Sequence, residues 1–355
     1  MKLHVVGAGP AGSISAISAL RSGHDVVVSE EHPRPGVPEN CSGLFSKDGL
    51  ESLSGFLDYR KAVVNKIRGA DIFFAGEKLE VRKKVPVGFV CSRSELDSIL
   101  AGTAEAEGAD IRYGKRVRNN YLANTIIGAD GPTSSVAMNF GFGRISHYAA
   151  TLQATVPYAS ENPDIVEVHL SSESFPGLFG WLIPRSADEA ELGVGVSMPA
   201  SPLAAWEKML KMKNLPWVRP RGWSIPLEAR RKTALRTGKY SVLLAGDAAG
   251  QVKATTGGGV IFGGNCAVLA GKHAANPRMY ELEWRLRYGT DLSIHKAVSN
   301  YLSSLSDDGL RALGAKLNRM ECGKFLSNHG HMDKPTKMVG TGMITHFLKN
   351  IAGVS

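Results

Sequence analysis

A glycine motif near the N-terminus restricts the possible folds of this 355-residue chain more than any other feature. Gly7, Gly9 and Gly12 follow a short apolar segment and stand at the spacing GxGxxG. Such glycines permit a tight turn, close approach of the backbone to a pyrophosphate, and close packing of a helix. Glu30 ends the next apolar segment, where an acidic side chain accepts hydrogen bonds from a ribose. The pattern predicts a dinucleotide site; the alternative is a tight structural turn without a ligand.

The same N-terminal region predicts a complete strand–helix–strand unit over residues 2–31. A helix is expected from Ala11 to residue 22, since this segment is rich in Ala, Ser and Ile, and Gly23 can end it. An acid at position 30 disfavours a 2'-phosphate, so the site favours FAD or NAD over NADP. The loop at residues 32–38 contains three prolines and a glycine and leads to residues 39–44.

The remaining periodicities predict a discontinuous α/β architecture. A capped helix is expected at 92–108, short strands near Ile111 and Val117, and a buried strand at 125–131, whereas residues 166–170 and 192–196 alternate as antiparallel strands do. Another buried strand is expected at 241–246, and the residues after 276 are expected to be helical. We predict a Rossmann-like nucleotide-binding domain of residues 1–60, 84–142 and 232–280, an inserted antiparallel-sheet substrate domain of residues 61–83 and 143–231, and a C-terminal helical region of residues 281–355.

Composition excludes several classes of protein. Hydrophobic residues make up 43% and charged residues 21%, as in globular proteins. The four cysteines form no CxxC pair, which disfavours iron–sulfur clusters, zinc ribbons and disulfide frameworks, and we expect no metal. The first residues run directly into the glycine motif, and no apolar run is long enough to span a membrane, so a cytoplasmic location is expected.

The net charge of +9 favours anionic partners such as phosphate or a phospholipid surface, although a solvated basic surface would have the same composition. The chain lacks a nucleic-acid recognition motif, and we expect no nucleic-acid partner. Residues 343–349 could form an amphipathic helix on a phospholipid surface, which would place the protein at the inner membrane face. A helix packed on the core is the alternative that the sequence favours.

Three further motifs follow in order: Arg93 with Leu96 and Asp97, the segment 128–134 around Asp130, and the segment 246–250 around Asp247. This order resembles flavoproteins of the p-hydroxybenzoate hydroxylase class over roughly residues 1–275, which implies FAD. Asp247 could accept hydrogen bonds from the flavin's sugar chain, and the helix after residues 257–259 could direct N–H groups at the pyrophosphate or the flavin ring. No second GxGxxG motif follows a strand, so the electron donor is expected to be NAD(P)H bound transiently or a ferredoxin.

A proline-bounded segment at 176–184 resembles the PxxYxWxFP motif of the geranylgeranyl reductase family, with Phe179 in place of Tyr and Ile183 in place of Phe. As a strand, it would place Phe179, Trp181 and Ile183 on one apolar face, with Gly180 and Leu182 on the other. Two more segments resemble archaeal members of that family. They are residues 247–259 and residues 40–44, where Ser42 replaces a glycine.

The family resemblance implies an FAD-dependent reductase that saturates carbon–carbon double bonds of geranylgeranyl chains on archaeal membrane phospholipid precursors. It implies that Cys41 lies beside the flavin ring, where its thiol helps to protonate or position the alkene; an inert, packed cysteine is the alternative. The implied substrate residues are Phe179, Trp181 and Ile183. The implied cofactor-binding residues are Gly7, Gly9, Ala11, Gly12, Glu30, Cys41, Ser42, Leu44, Arg93, Val117, Asp130, Asp247, Gly258, Gly259 and Val260.

Two other functions remain open from the sequence. The segment 179–184 is one residue from the WxWxIP pattern of flavin-dependent halogenases, which use a lysine, and Lys78 and Lys83 are the candidates. An oxygen-using flavoprotein, either an aromatic monooxygenase or a halogenase, is therefore the main alternative. A quinone-linked electron carrier is less favoured, because the scattered cysteines cannot hold an iron–sulfur cluster.

Overall fold

The predicted strand–helix–strand unit at the N-terminus is present in a computed structural model, which describes residues 1–339. Strand β1 (Lys2–Val6) leads through the glycine turn into helix α1 (Pro10–Arg21), which begins with a proline at its first position. Strand β2 (Asp25–Ser29) then pairs with β1 in parallel. The segment 343–349, for which the sequence allows a surface helix, lies outside the described residues.

A six-stranded sheet extends this unit in both directions. Its remaining strands are β8 (Asp110–Arg112), β9 (Thr125–Gly128), β15 (Ala234–Thr237) and β16 (Tyr240–Leu244), and the order is β15-β16-β9-β1-β2-β8. All neighbours are parallel except β15 and β16. The carboxyl ends of β16, β9, β1 and β2 therefore lie at one edge, where ligands bind in sheets of this kind.

Helices α3 (Arg93–Ala106), α4 (Ser135–Asn139) and α6 (Val260–Lys272) accompany the six-stranded sheet. The hydroxyl of Ser92 caps α3, as the sequence predicts, by accepting from the Glu95 amide. Helix α6 packs closely on α1: a Cβ added to Gly271 would lie 2.5 Å from the Ser15 carbonyl oxygen. Only glycine allows this approach of the two backbones.

The inserted sheet has seven strands in the order β14-β10-β13-β12-β11-β5-β6. Their bounds are β5 (Gly69–Phe74), β6 (Glu77–Arg82), β10 (Tyr148–Pro157), β11 (Ile165–Leu170), β12 (Gly180–Pro184), β13 (Glu189–Ser197) and β14 (Arg221–Pro226). The sheet is antiparallel, as expected, except that β5 and β11 pair in parallel. Helix α5 (Pro202–Met212) covers one face with Trp206 and Met209.

A small antiparallel sheet contains β3 (Leu44–Ser46), β4 (Val63–Ile67) and β7 (Gly88–Cys91), with β7 in the centre. Helix α2 (Lys47–Ser52) follows β3 directly. Leu44 and Val90 of this small sheet pack into the same apolar cluster as Trp181 of β12. The small sheet therefore contacts the face of the seven-stranded sheet opposite α5.

The C-terminal region is helical up to residue 339, as predicted. Its helices are α7 (Pro277–Trp284), α8 (Thr290–Ser303), α9 (Asp307–Arg319), α10 (Cys322–His329) and α11 (Thr336–Val339). Leu310, Leu313 and Leu317 of α9 pack on Phe74 and Leu79 of the β5–β6 hairpin. No helix within residues 1–339 is long and apolar enough to cross a membrane. The exact division of the chain into domains stays a prediction.

Candidate functional site

A large cleft lies at the carboxyl edge of the six-stranded sheet. It is open to solvent and is bordered by the residues that follow four neighbouring parallel strands. These are Asp247 after β16, Asp130 after β9, Gly7 after β1 and Glu30 after β2. The fold thus brings four separate sequence motifs to one site. The predicted site residues that border the cleft are Gly7, Gly9, Ala11, Glu30, Arg93, Val117, Asp130, Asp247, Gly259 and Val260.

The three glycines of the first motif have different surroundings. Gly7 has a φ of 97°, and a Cβ at this position would lie 2.3 Å from the Ala129 carbonyl oxygen. A Cβ on Gly12 would lie 1.9 Å from the Gly7 carbonyl oxygen, so Gly12 is required for packing and does not border the cleft. A Cβ on Gly9 would meet no described atom within 4 Å. Gly9 therefore leaves open the space in front of the α1 N-terminus, where a phosphate would approach.

Glu30 is held at the cleft wall by the backbone of the same motif. Its carboxylate accepts hydrogen bonds from the amide of Ala8 at 2.7 Å and from the amide of His32 at 2.9 Å. The Nδ1 atom of His32 also lies 2.7 Å from Glu30 Oε1. These contacts fix the carboxylate next to the glycine turn, as a ribose-binding acid requires.

Asp130 borders the cleft, but its carboxylate serves the neighbouring helix. The Ser134 hydroxyl donates to it at 2.5 Å, and the Ser135 hydroxyl and the Val136 amide each donate at 3.0 Å. This arrangement stabilises the start of α4. At the end of β9, the cleft is therefore bordered by the backbone around Asp130 and not by a free carboxylate.

Asp247 faces the cleft beside the N-terminus of α6. Burial raises the pKa of Asp247 to about 6, although Arg93 opposes the shift. Gly259 is the N-cap of α6, Val260 is its first residue, and both border the cleft. The N-termini of α1 and α6 therefore open into the same cleft, and each favours negative charge.

Arg93 connects the cleft to Cys41. Its guanidinium binds Asp97 through two hydrogen bonds, of 3.1 and 2.9 Å. Burial disfavours the charged guanidinium, but Asp97 and a hydrogen bond with Cys41 raise the pKa of Arg93 above its ordinary value. A thiol and a permanent positive charge thus lie close together at the border of the cleft.

Five of the predicted cofactor residues do not border the cleft: Gly12, Cys41, Ser42, Leu44 and Gly258. Cys41 is half-buried one residue beyond Asn40, which does border it. Leu44 points instead into the apolar cluster of the seven-stranded sheet. A Cβ on Gly258 would lie 2.9 Å from Cε of Lys253, so Gly258 lies behind the α6 N-terminus.

The two faces of β12 are divided as the sequence predicts. Phe179, Trp181 and Ile183 pack together with Leu44 and others in one apolar cluster. Leu182 packs in the cluster on the other face, beneath α5. The rings of Phe179 and Trp181 meet edge to face, with centroids 5.7 Å apart. This apolar face does not border the large cleft, but Phe179 borders a smaller one of about 390 Å³ with Thr255 and Ser299.

The sequence did not identify several residues that border the large cleft. Among them are residues 32 and 34–38 of the loop after Glu31, Lys115, Arg116 and Trp223. The prolines and glycine marked this loop, and its position directly after Glu30 is the signal that could have placed it at the site. Trp223 gave no such signal, because it reaches the cleft only through the pairing of β14 with β10.

The structure does not bring the candidate halogenase lysines to the cleft. Lys78 lies in β6 and makes ion pairs of 3.0 Å with Asp71 and 2.6 Å with Glu80. Lys83 donates to the Gly330 carbonyl. Within residues 1–339, no group of side chains has the composition of a metal site, and all four cysteines are free thiols.

No family model matches the chain. Curated relatives include digeranylgeranylglycerophospholipid reductase 2 of Methanothermobacter thermautotrophicus, 27% identical over 91% of this chain and 92% of that protein. The digeranylgeranylglycerophospholipid reductase of Methanosarcina mazei is 26% identical over 88% of this chain and 87% of that protein. The chain therefore has homologues of this name over most of its length, and the resemblance predicted from the motifs is confirmed.

Solved structures with the same fold include a geranylgeranyl bacteriochlorophyll reductase-like protein from Thermoplasma acidophilum. It has a TM-score of 0.79 and 22% identity and covers 88% of this chain and 90% of that one. A probable FAD-dependent monooxygenase from Pseudomonas aeruginosa has a TM-score of 0.67 and 16% identity, covering 89% of this chain and 99% of that one. The predicted fold class is confirmed.

Proposed function

We propose that this chain is an FAD-dependent reductase that saturates carbon–carbon double bonds of geranylgeranyl chains on membrane phospholipid precursors of the archaeal type. One observation carries the proposal: the flavoprotein motifs converge on one cleft beside the loop that carries Cys41. The aromatic face of β12 packs against Leu44, where that loop ends. Relatives that bear the name of such a reductase over about nine-tenths of the chain support it.

The cleft fits FAD through features of this chain. The open space at Gly9 would admit the pyrophosphate to the α1 N-terminus. Glu30 would accept from a ribose hydroxyl, and Asp247 from hydroxyls of the flavin's sugar chain. The amides at Gly259 and Val260 would offset negative charge at the pyrophosphate or the flavin ring. Bound FAD in its reduced form would supply the hydride for alkene reduction.

The remaining steps belong to the protein side chains. The Cys41 thiol would donate a proton from Sγ to the carbon that does not receive the hydride. Arg93, whose pKa the neighbouring Asp97 and Cys41 raise, would then offset the negative charge left on Sγ. Phe179, Trp181 and Ile183 would hold an isoprene unit and exclude water. The two electrons for each turnover would come from NAD(P)H bound transiently or from a ferredoxin.

An anaerobic single-turnover experiment tests the proposed reaction. The bound flavin is reduced chemically and mixed with a geranylgeranylated phospholipid, and flavin absorbance and product mass are followed together. Reoxidation with a mass gain of two hydrogen atoms per reduced bond is expected. If the flavin stays reduced with every prenyl lipid and an aromatic compound is hydroxylated in air, the chain is an oxygenase instead.

The role of Cys41 is tested in the same assay. Replacing Cys41 by alanine should slow flavin reoxidation by the lipid at least tenfold, because general acids typically contribute 10²–10⁴-fold. Flavin content should remain unchanged. Cys322→Ala provides the matched control, since Cys322 lies in α10 within a different apolar cluster. An unchanged rate in C41A would assign the proton to water or another group.

The oxygen-using flavoprotein is the second candidate. It is favoured by one observation, the fold shared with the probable FAD-dependent monooxygenase. The halogenase form is disfavoured because Lys78 and Lys83 lie away from the cleft. Chloride-dependent product formation would instead support a halogenase.

A further inference from the structure

The inner face of the seven-stranded sheet is defined here as the face that bears Trp181. A Cβ on Gly193 would lie 2.2 Å from two atoms of the Trp181 indole, so the indole lies over Gly193 on this face. Gly193 pairs with Gln153 of β10, which in turn pairs with Arg221 of β14. Directly paired residues present their side chains to the same face. Trp181, Gln153 and Arg221 therefore form one row across four neighbouring strands.

The adjacent row on the inner face is also polar. Ile183 pairs with Glu191, which pairs with Thr155. The Thr155 hydroxyl donates to Glu191 at 2.8 Å, and Nη2 of Arg221 lies 3.4 Å from the same carboxylate. These contacts confirm that Glu191 and Arg221 share a face. In these two rows, the inner face is thus apolar at β12 and polar at β10 and β14.

Two donors in the first row have no acceptor. Trp181 is 8% exposed and Gln153 is 7% exposed. Within the part of the chain that the structure describes, neither the indole Nε1 nor the amide Nε2 has a hydrogen-bond partner. A buried donor without an acceptor destabilises the folded protein, so an acceptor from outside the described residues is favoured at each site. Oxygen atoms of a ligand or of bound water would satisfy both donors, which lie on either side of one glycine.

The next row on the other side of the first one reaches the large cleft. Trp223 pairs with Thr151, one position along the inner face from Arg221, and borders the cleft. The side chain of Arg221 is 43% exposed, so its guanidinium can meet a ligand as well as Glu191. The inner face of the sheet therefore offers an apolar region at Phe179, then the two neutral donors of Trp181 and Gln153, and then the cation of Arg221. This sequence of environments matches a long apolar chain joined to an oxygen-rich, anionic end.

We propose that Gln153, Trp181 and Arg221 form a binding site for the phosphate-bearing polar head of the prenyl lipid. The amide of Gln153 and the indole of Trp181 donate to glycerol oxygens, and Arg221 binds the phosphate. The isoprenoid chain then lies over the apolar residues of β12. This inference rests on the proposed function for its substrate class and assigns the head group a place on the sheet.

The test compares geranylgeranylglyceryl phosphate with geranylgeraniol, which lacks the phosphate. Arg221→Gln should raise the KM for the phosphate compound about tenfold more than the KM for geranylgeraniol, because the variant loses a hydrogen bond to a charged group, and tenfold corresponds to about 1.4 kcal/mol. Gln153→Leu, which keeps the side-chain volume, should raise the KM for the phosphate compound severalfold. Arg311→Gln is the control, since Arg311 is an exposed arginine of α9 in an ion pair with Asp308.

A binding measurement separates the two proposals. The Kd of geranylgeranylglyceryl phosphate is followed by tryptophan fluorescence of the flavin-loaded protein, without turnover. If no prenyl compound reoxidises the flavin, the proposed function fails, while a weaker Kd in R221Q and Q153L would still support the head-group site. If both variants bind the phosphate compound as the wild type does, or lose affinity equally for geranylgeraniol, the site is wrong and the two donors are satisfied by bound water.

Discussion

Gly9 and Gly12 belong to one motif, but the protein requires them for different reasons. Gly9 has an ordinary φ of −66°, and a Cβ there would project into open space at the cleft. A Cβ on Gly12 would meet a backbone carbonyl oxygen at 1.9 Å, which cannot be relieved by a side-chain rotation. Gly9 thus leaves space for the proposed ligand, whereas Gly12 is required by the packing of the fold.

This difference predicts opposite results for two alanine substitutions. Gly9→Ala should change the free energy of unfolding of the flavin-free protein by less than about 0.5 kcal/mol but weaken FAD binding. Gly12→Ala should lower the free energy of unfolding by about 1–3 kcal/mol or more, as overpacking does. Urea unfolding and a flavin titration measure the two effects. Equal FAD affinity in G9A and the wild type would exclude the pyrophosphate from the α1 N-terminus.

The Asp247 carboxylate lowers the free energy of unfolding of the flavin-free protein at neutral pH. Because burial raises its pKa to about 6, the folded state binds a proton more tightly than the unfolded chain does. Stability from this group is therefore lost as the pH rises from about 4 to 6. Asp247→Asn should raise the free energy of unfolding of the flavin-free protein at pH 7 by about 1 kcal/mol, a value reduced because the carboxylate faces the hydrated cleft. FAD affinity should fall in the same variant, and a D247N protein that is less stable at pH 7 would contradict the assignment.

At the scale of elements, a buried ion pair joins the turn before α6 to the segment after α10. Lys253 Nζ lies 2.5 Å from Asp333 Oδ1, and both side chains are buried. The Ser46 hydroxyl, which also caps α2, donates to the other oxygen of Asp333. The Lys253 carbonyl accepts from the Gly257 amide at 2.8 Å. The pair therefore holds the approach to the α6 N-terminus against β3 and the C-terminal segment.

Removing one partner of this pair should be costly. Lys253→Met leaves the Asp333 carboxylate buried without its cation, and we expect a loss of about 3–5 kcal/mol in the free energy of unfolding. The double variant K253M/D333L should recover most of that loss, because no uncompensated charge remains. Urea unfolding of K253M, of D333L and of the double variant gives the coupling energy between the two sites. If K253M and K253M/D333L were equally destabilised, the loss would come from packing rather than charge.

The elements that the sequence predicted are those with local signals. The glycine turn, the Ser92 cap and the period of two in β12 each depend on neighbouring residues. The parallel pairing of β5 with β11 and the Lys253–Asp333 pair depend on residues far apart in the chain, and no local pattern encodes them. Asp130 is an intermediate case: it borders the site as predicted, but the serines that follow it use its carboxylate as a helix cap.

At the scale of the whole molecule, the two sheets present different surfaces to the proposed dinucleotide and to the proposed amphipathic substrate. The six-stranded sheet presents the ends of four parallel strands to the cleft. The seven-stranded sheet presents its inner face, and Trp223 and Leu44 lie where the two regions approach each other. Since no local signal encodes this arrangement, the sequence predicted both surfaces but not their relation.

Two buried histidines in different parts of the molecule make its stability depend on pH. Both ring nitrogens of His4 have partners, and Nδ1 accepts from the Leu122 amide at 3.2 Å. His295 contacts the Thr255 hydroxyl at 2.7 Å and the Asp333 carbonyl at 3.3 Å. Burial lowers the pKa of each histidine to about 4. Between about pH 6.5 and 4, the unfolded chain therefore binds protons that the folded chain does not.

The free energy of unfolding should accordingly fall as the pH is lowered through this window, by about 1.4 kcal/mol per pH unit for each histidine. Asp247 acts in the opposite direction, so the contribution of one histidine is best measured as a difference between proteins. Replacing His295 by Asn should reduce the slope of the free energy of unfolding against pH between pH 6 and 5 by the equivalent of about one bound proton. His4→Asn should have the same effect independently. His147, which is exposed, supplies the control variant H147N. If H295N and H4N kept the wild-type slope, protonation of these two buried rings would not be what destabilises the folded protein in acid.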